Sequence, residues 1–344
     1  MLNKIIHTYW TRLAATVLVF ISVVLTSRYL GADGKGMTSL ITTNLLFINL
    51  VNEFIGGVSL IYLIPRRQPA AMLIPAVLFA LLDSFVLAVF FQALHIVPEE
   101  YTVHIYFLAV LQTLNNTLLY VLLGRERVKM HNNLFLLKAL INAGWLAVYF
   151  IGLKTASVEV FLLALYASNG IPLLIGIILL LPFLKENFRI GNILSTTREL
   201  LAYGSLAQSA NIIQTLNYRL SFYLLNFFLI NGKAAVGVFS VTLALCDVIW
   251  MMSKSIGMVQ LTRIANTSDV TEAHQLTKKF LRFSVLSTLL FLIPAMTVPE
   301  NFYSLLFGQA FGEVRTLIQM MGAGVLIFSV NIILSNHFAG TGRY

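Results

Sequence analysis

Apolar residues run along this chain in unbroken stretches of twenty or more, separated by short polar breaks. A helix that crosses a bilayer needs about 20 mainly apolar residues. The pattern predicts ten helices, at 9–30, 37–64, 70–94, 103–123, 134–153, 158–183, 200–230, 234–263, 280–307 and 315–339. The breaks Gly31–Gly36, Pro65–Pro69 and Asn231–Lys233 read as turns. Barrel strands would alternate apolar and polar residues over about ten positions, and these runs do not. Backbone groups in lipid must be satisfied within the segment, so the runs are expected to be helices. The expected fold class is all-α, a polytopic membrane helix bundle.

Composition agrees. Of 344 residues, 58% are hydrophobic and 11% charged, and mean hydropathy is +0.84. Soluble domains carry roughly 25% charged residues, so most of this surface is expected to face lipid. The lone Cys246 cannot form an intramolecular disulfide. Metal-binding spacings such as CxxC and HExxH are absent, so neither a metal nor a cofactor is expected. The first helix does not read as a cleavable signal, because its apolar run is long and no small-residue cleavage site follows Arg28.

The net charge of +9 is explained by basic cytoplasmic loops, not by nucleic acid. With the N-terminus inside, most Lys and Arg residues fall on the cytoplasmic side, including Arg66, Arg67, Arg125, Arg127 and Lys129. Arg28, Lys35, Lys154, Lys233 and Arg315 fall outside. Two longer cytoplasmic segments carry capping signatures. Thr196-x-x-Glu199 is expected to start helix seven, and Asp269-x-x-Glu272 a basic amphipathic stretch with His274, Lys278, Lys279 and Arg282 beside anionic headgroups.

Shifting the sequence by 201 lays the second helix over the eighth without gaps. Gly36 then meets Gly237, Ser39 meets Ser240, Ile48 meets Ile249, and Ile55-Gly56 meets Ile256-Gly257. Six helices separate the pair, so both copies point the same way. This predicts a parallel repeat of six-helix halves, an arrangement in which transporters bind substrate between the halves. The lobes would be 1–190 and 191–344. Only four helices of the second lobe precede Tyr344, so the chain is expected to be incomplete.

An ionisable side chain in the bilayer is costly and marks function by default. Arg12, Arg28 and Lys138 lie near helix ends, where their stems can snorkel. Glu53, Asp83, Arg219, Asp247 and Lys254 lie deeper. The repeat aligns Glu53 with Lys254, which are expected to meet across a central cavity. Pairing of Lys254 with Glu53 or Asp247, merely holding the bundle together, is the alternative. Polar stripes follow helical spacing: Gln208, Asn211, Thr215 and Arg219 in helix seven, Thr42, Asn49, Glu53 and Gly56 in helix two. Helix four adds Gln112, Asn115 and Asn116. The histidines fall mostly at helix ends and form no catalytic constellation, so an enzyme is not expected.

Ser27–Leu40 (SRYLGADGKGMTSL) resembles the first-loop signature of bacterial polysaccharide flippases. Tyr218–Asn226 (YRLSFYLLN) and Val236–Val241 (VGVFSV) are similar to that family's helix-seven and helix-eight pattern. Leu306–Gly308 with Phe311, and Leu334–Arg343 (LSNHFAGTGR), are similar to its endings of helices nine and ten. The family belongs to the multidrug/oligosaccharidyl-lipid/polysaccharide exporter superfamily. The resemblance implies 12–14 helices in two lobes around a V-shaped cavity. It implies flipping of undecaprenyl-diphosphate-linked oligosaccharide across the bacterial inner membrane, for O-antigen, lipopolysaccharide or other surface polysaccharide, beside polymerase machinery. Cavity cations carried over from it are Arg219, Lys254 and Arg12. A diphosphate would be offset by Arg219 and Lys254, and the glycan would use Asn211, Gln208, Asn49 and Asn115. Coupling to H⁺ or Na⁺ would rest on Glu53, Asp83 and Asp247. The other readings are a multidrug exporter of the same fold, a membrane polymerase or ligase of lipid-linked glycans, and an inactive remnant.

Overall fold

A computed structural model describes residues 2–64, 69–185, 193–265 and 269–341. The described chain is helical, with no strand among the described residues. It packs as two compact units, Met1–Gly237 and Val238–Tyr344. The helices are α1 (Leu2–Gly56), α2 (Val58–Leu63), α3 (Pro69–Ala93), α4 (Thr102–Gly124), α5 (Val128–Ala147), α6 (Val158–Lys185), α7 (Ile193–Phe228), α8 (Gly232–Ala265), α9 (Val270–Thr297), α10 (Glu300–Phe307) and α11 (Val314–Gly340).

Among the described residues, eight helical segments are long and apolar enough to cross a membrane. One of them, Trp10–Leu63, has 54 residues. Straight, it would be about 80 Å long, far beyond the roughly 30 Å of a hydrocarbon core. It breaks at Gly31, which sits at φ 69 and ψ −175, outside the helical region. Only glycine adopts that conformation readily. The reversal is visible in a side-chain contact: Lys35 Nζ donates to Thr26 Oγ1 at 3.1 Å. Nine residues along a straight helix span about 13 Å, beyond the reach of a lysine.

This corrects the predicted turn Gly31–Gly36. Only Gly31 leaves the helix; Ala32 to Gly36 already belong to the second leg. Lys35, expected in an outer loop, is buried in that leg. The predicted 37–64 helix is also divided, at Gly57. The predicted 280–307 helix is divided between α9 and α10, where Pro299 takes the N-cap of α10 with extended backbone; a proline disfavours helical geometry in the residue before it. Thr196 does not start α7, which is helical from Ile193. Asp269 does cap α9, its Oδ1 accepting from Thr271 N at 2.8 Å. The expected turn Pro65–Pro69 falls mostly outside the described residues. The segment α7 is absent from the eight apolar spans, because its polar stripe lowers its hydropathy.

The first unit is built around an apolar knot. Leu60 and Leu63 of α2, with Ile64 just after it, cluster with Met72 and Ala76 of α3, Leu118 and Leu122 of α4, Leu134 of α5, Leu173 and Leu180 of α6, and Leu200 of α7. Helix α1 packs along α5, α7, α3 and α4, and much of its second leg, including Leu40, Ile41, Leu45 and Ile48, is buried. In the second unit α9 packs along α11. Trp250 of α8 donates to the Val325 carbonyl of α11 at 2.9 Å, and Ser284 of α9 donates to Ser253 of α8 at 2.8 Å.

The tightest approach joins the second leg of α1 to the start of α8. A Cβ on Gly36 would lie 1.8 Å from the Lys233 carbonyl oxygen, and one on Gly237 would lie 2.1 Å from the Ala32 carbonyl oxygen. The contact is reciprocal: Gly36 against residue 233, Gly237 against residue 32. These are the positions that the 201-residue shift aligns. Gly36→Ala and Gly237→Ala are each expected to cost about 2–3 kcal/mol, the upper range for overpacking, because the obstacle is backbone. Gly144 has nothing within 4 Å of a built Cβ. Gly144→Ala is expected to be neutral or to stabilise by up to about 1 kcal/mol. Thermal unfolding of the three purified variants in one detergent separates the two outcomes.

Candidate functional site

The second leg of α1 carries Asn49 and Glu53 four residues apart, one turn along the same face. Asn49 Nδ2 donates to Glu53 Oε1 at 2.8 Å. What brings α7 to this face is another glycine. A Cβ on Gly204 would lie 2.3 Å from the Phe54 carbonyl oxygen, so the two backbones approach more closely than any other residue allows. One turn beyond Gly204, Gln208 is buried at 2% exposure. Its Nε2 lies 3.0 Å from Glu53 Oε2 and 3.1 Å from the Leu50 carbonyl.

The chain of amides extends at both ends. Asn116 of α4 donates to Asn49 Oδ1 at 2.8 Å. Asn211, one further turn along α7, donates to Gln208 Oε1 at 3.1 Å. Asn116, Asn49, Glu53, Gln208 and Asn211 therefore form one continuous network across α4, α1 and α7. Asn211 is exposed, whereas Asn49 and Gln208 are buried. The Tyr120 hydroxyl of α4 adds a further dipole beside the carboxylate. Each oxygen of Glu53 thus faces a neutral amide donor.

The first unit also holds buried polar atoms without hydrogen-bond partners among the described residues: both amide atoms of Asn115, Nδ2 of Asn52, Oγ1 of Thr117 and Oδ2 of Asp83. Asp83 lies in α3 and is buried. Asn52 and Thr117 face each other across Gly56, where a built Cβ would lie 2.7 Å from an oxygen of each. Orphaned polar atoms buried in a bundle cost free energy unless water or a ligand satisfies them.

Arg219 lies further along α7, its guanidinium carbon 5.1 Å from the centre of the Phe222 ring, a distance at which a cation is attracted to a ring face. It is also an electrostatic neighbour of Lys35. Lys35 was missed by sequence reading because the glycines on both sides of it imitate a loop. Arg12 is exposed on the first leg of α1, with His131 of α5 as an electrostatic neighbour.

The second unit holds a charged pair on a single helix. Lys254 Nζ lies 3.2 Å from Asp247 Oδ1, and both side chains are about half exposed, at 54% and 51%. They belong to α8, within the apolar segment Gly232–Leu261. Within the first unit Glu53 takes its hydrogen bonds from Asn49 and Gln208. Of the two partners open to Lys254, the one seen is Asp247, two turns away on its own helix. Among the described residues no group of His, Cys, Asp and Glu side chains could hold a metal ion.

No protein-family model matches this sequence, and no curated protein matches it. Solved structures do resemble it. A multidrug resistance MATE family transporter of the MOP superfamily, in an inward-facing conformation, superposes with a TM-score of 0.66 at 13% identity, over 96% of this chain and 81% of that one. The MATE transporter ClbM in complex with Rb⁺ superposes with a TM-score of 0.51 at 16% identity, over 99% and 80%. The likeness lies within the superfamily that the sequence motifs resemble. At such identities it concerns the fold alone, and the chain has the polytopic helical fold of the MATE transporters.

Proposed function

We propose that this chain is a membrane transporter that moves a polyprenyl-diphosphate-linked oligosaccharide from one leaflet to the other by alternating access. The observation that carries the reading is the half-exposed Lys254–Asp247 pair midway along an apolar helix. Charges half open to their surroundings at that depth are stable only against water or a polar ligand. The neighbouring cations Lys35 and Arg219 in the first unit support an anionic substrate, and the amides of Asn49, Asn115, Gln208 and Asn211 suit a glycan. The flippase-like motifs of the sequence favour the same class. Lys254 can exchange Asp247 for a phosphate oxygen without leaving its helix.

A second reading is a cation-coupled multidrug exporter. It is favoured by the carboxylates Glu53 and Asp83, and by fold neighbours of which one is named a multidrug transporter and another is in complex with Rb⁺. Proteoliposomes of the full chain decide between the two readings. Flipping of a fluorescent polyprenyl-diphosphate oligosaccharide is expected from the parent. Lys254→Ala and Arg219→Ala are each expected to slow it by at least about tenfold, the value of one charged hydrogen bond. Lys254→Arg is expected to retain most of the rate. Export of a cationic dye by the parent, with the glycan lipid left in place, would sink the proposal.

Glu53 carries the coupling part of the reading. Glu53→Gln keeps one carbonyl oxygen for the two amide donors and is expected to cost about 1 kcal/mol in thermal unfolding. The same variant is expected to transport at one rate with or without an H⁺ or Na⁺ gradient, whereas the parent responds to one of them. A parent indifferent to both gradients would remove Glu53 from any coupling role.

A further inference from the structure

The start of α9 carries a feature that transport does not use. A groove of about 520 Å³ is lined there by Gln275, Lys278, Lys279, Arg282, Phe283 and Leu286. The spacings of three and four place all six on one face of the helix. The opposite face of α9, with Ala273, Thr277, Ser284 and Thr288, is buried; Thr277 contacts Gln260 of α8 and His337 of α11. The groove therefore lies on the side of α9 turned away from its own unit.

Along the groove the chemistry changes abruptly. Lys278, Lys279 and Arg282 are exposed within little more than one turn, and among the described residues none is paired with a carboxylate. Immediately beyond them Phe283, Leu286 and Leu290 are exposed at 58%, 64% and 69%. This apolar stripe continues the same face into the segment Thr271–Thr297, long and apolar enough to span a bilayer. Three cations at the mouth of an apolar track match a phosphate headgroup followed by an acyl chain.

We propose that this groove is a binding site for an anionic glycerophospholipid of the bilayer. The phosphate sits among Lys278, Lys279 and Arg282, and one acyl chain lies along Phe283, Leu286 and Leu290. Charge complementarity selects the occupant: a zwitterionic lipid brings its own cation and leaves the three basic side chains without a counter-charge. The arginine contributes a planar fork to phosphate oxygens and the lysines point charges. None of these residues is among those proposed for transport, and the site does not depend on which substrate is moved.

The test uses the full chain in detergent, titrated with dioleoyl phosphatidylglycerol or dioleoyl phosphatidylcholine and read by native mass spectrometry. Retention of phosphatidylglycerol over phosphatidylcholine is expected. In Lys278→Gln/Lys279→Gln/Arg282→Gln that affinity is expected to fall on the order of a hundredfold, at the usual contribution of a basic residue near an anionic surface. The charge-matched Arg125→Gln/Lys129→Gln/Lys154→Gln is expected to bind as the parent does. Should the first triple variant not fold, Arg282→Gln alone is expected to lose about fivefold. Equal retention of the two lipids, or equal loss in the two triple variants, overturns the proposal. So does a polyprenyl diphosphate that displaces phosphatidylglycerol from the parent at equal concentration.

Discussion

A carboxylate inside an apolar bundle must find its hydrogen-bond donors within the protein, and Glu53 finds them in Asn49 and Gln208. Much of the first unit follows from that requirement. Gln208 reaches Glu53 only because Gly204 lets the α7 backbone close on Phe54. Asn49 is held in turn by Asn116 of α4. Three helices are thereby fixed in register by one line of amides. Unlike an ion pair, this line of amides brings hydrogen bonds to the carboxylate and no counter-charge.

The two units treat charge differently. In the first, Glu53 is embedded among amides, and Lys35 is buried with a threonine hydroxyl as its hydrogen-bond partner. In the second, Lys254 and Asp247 pair on one helix and stay half exposed. A buried charge without a counter-ion is costly, whereas an exposed pair costs little in a wet environment and gains little from pairing.

Glycine has three separate duties in the first unit. Gly31 supplies a left-handed backbone that reverses α1. Gly204 permits a helix-to-helix approach that sets the amide network. Gly36 and Gly237 permit the reciprocal contact between repeat-aligned segments. A sequence presents all of them as the same letter. That is why the stretch Gly31–Gly36 reads as a turn, although five of its six residues are helical.

The sequence by itself determined that the chain is a polytopic helical bundle, because apolar runs of twenty residues leave the backbone no other way to satisfy itself in lipid. It also determined which residues share a face, since helical periodicity puts Asn49 with Glu53 and Gln208 with Asn211. The cap at Asp269 was equally legible, being a local contact two residues long. Only the tertiary structure decided which faces meet. That Glu53 meets Gln208, and that Lys35 is buried, depends on where backbones approach most closely. Those approaches are set by glycines far apart in the chain, and helical periodicity carries no record of which distant helix a given face will touch.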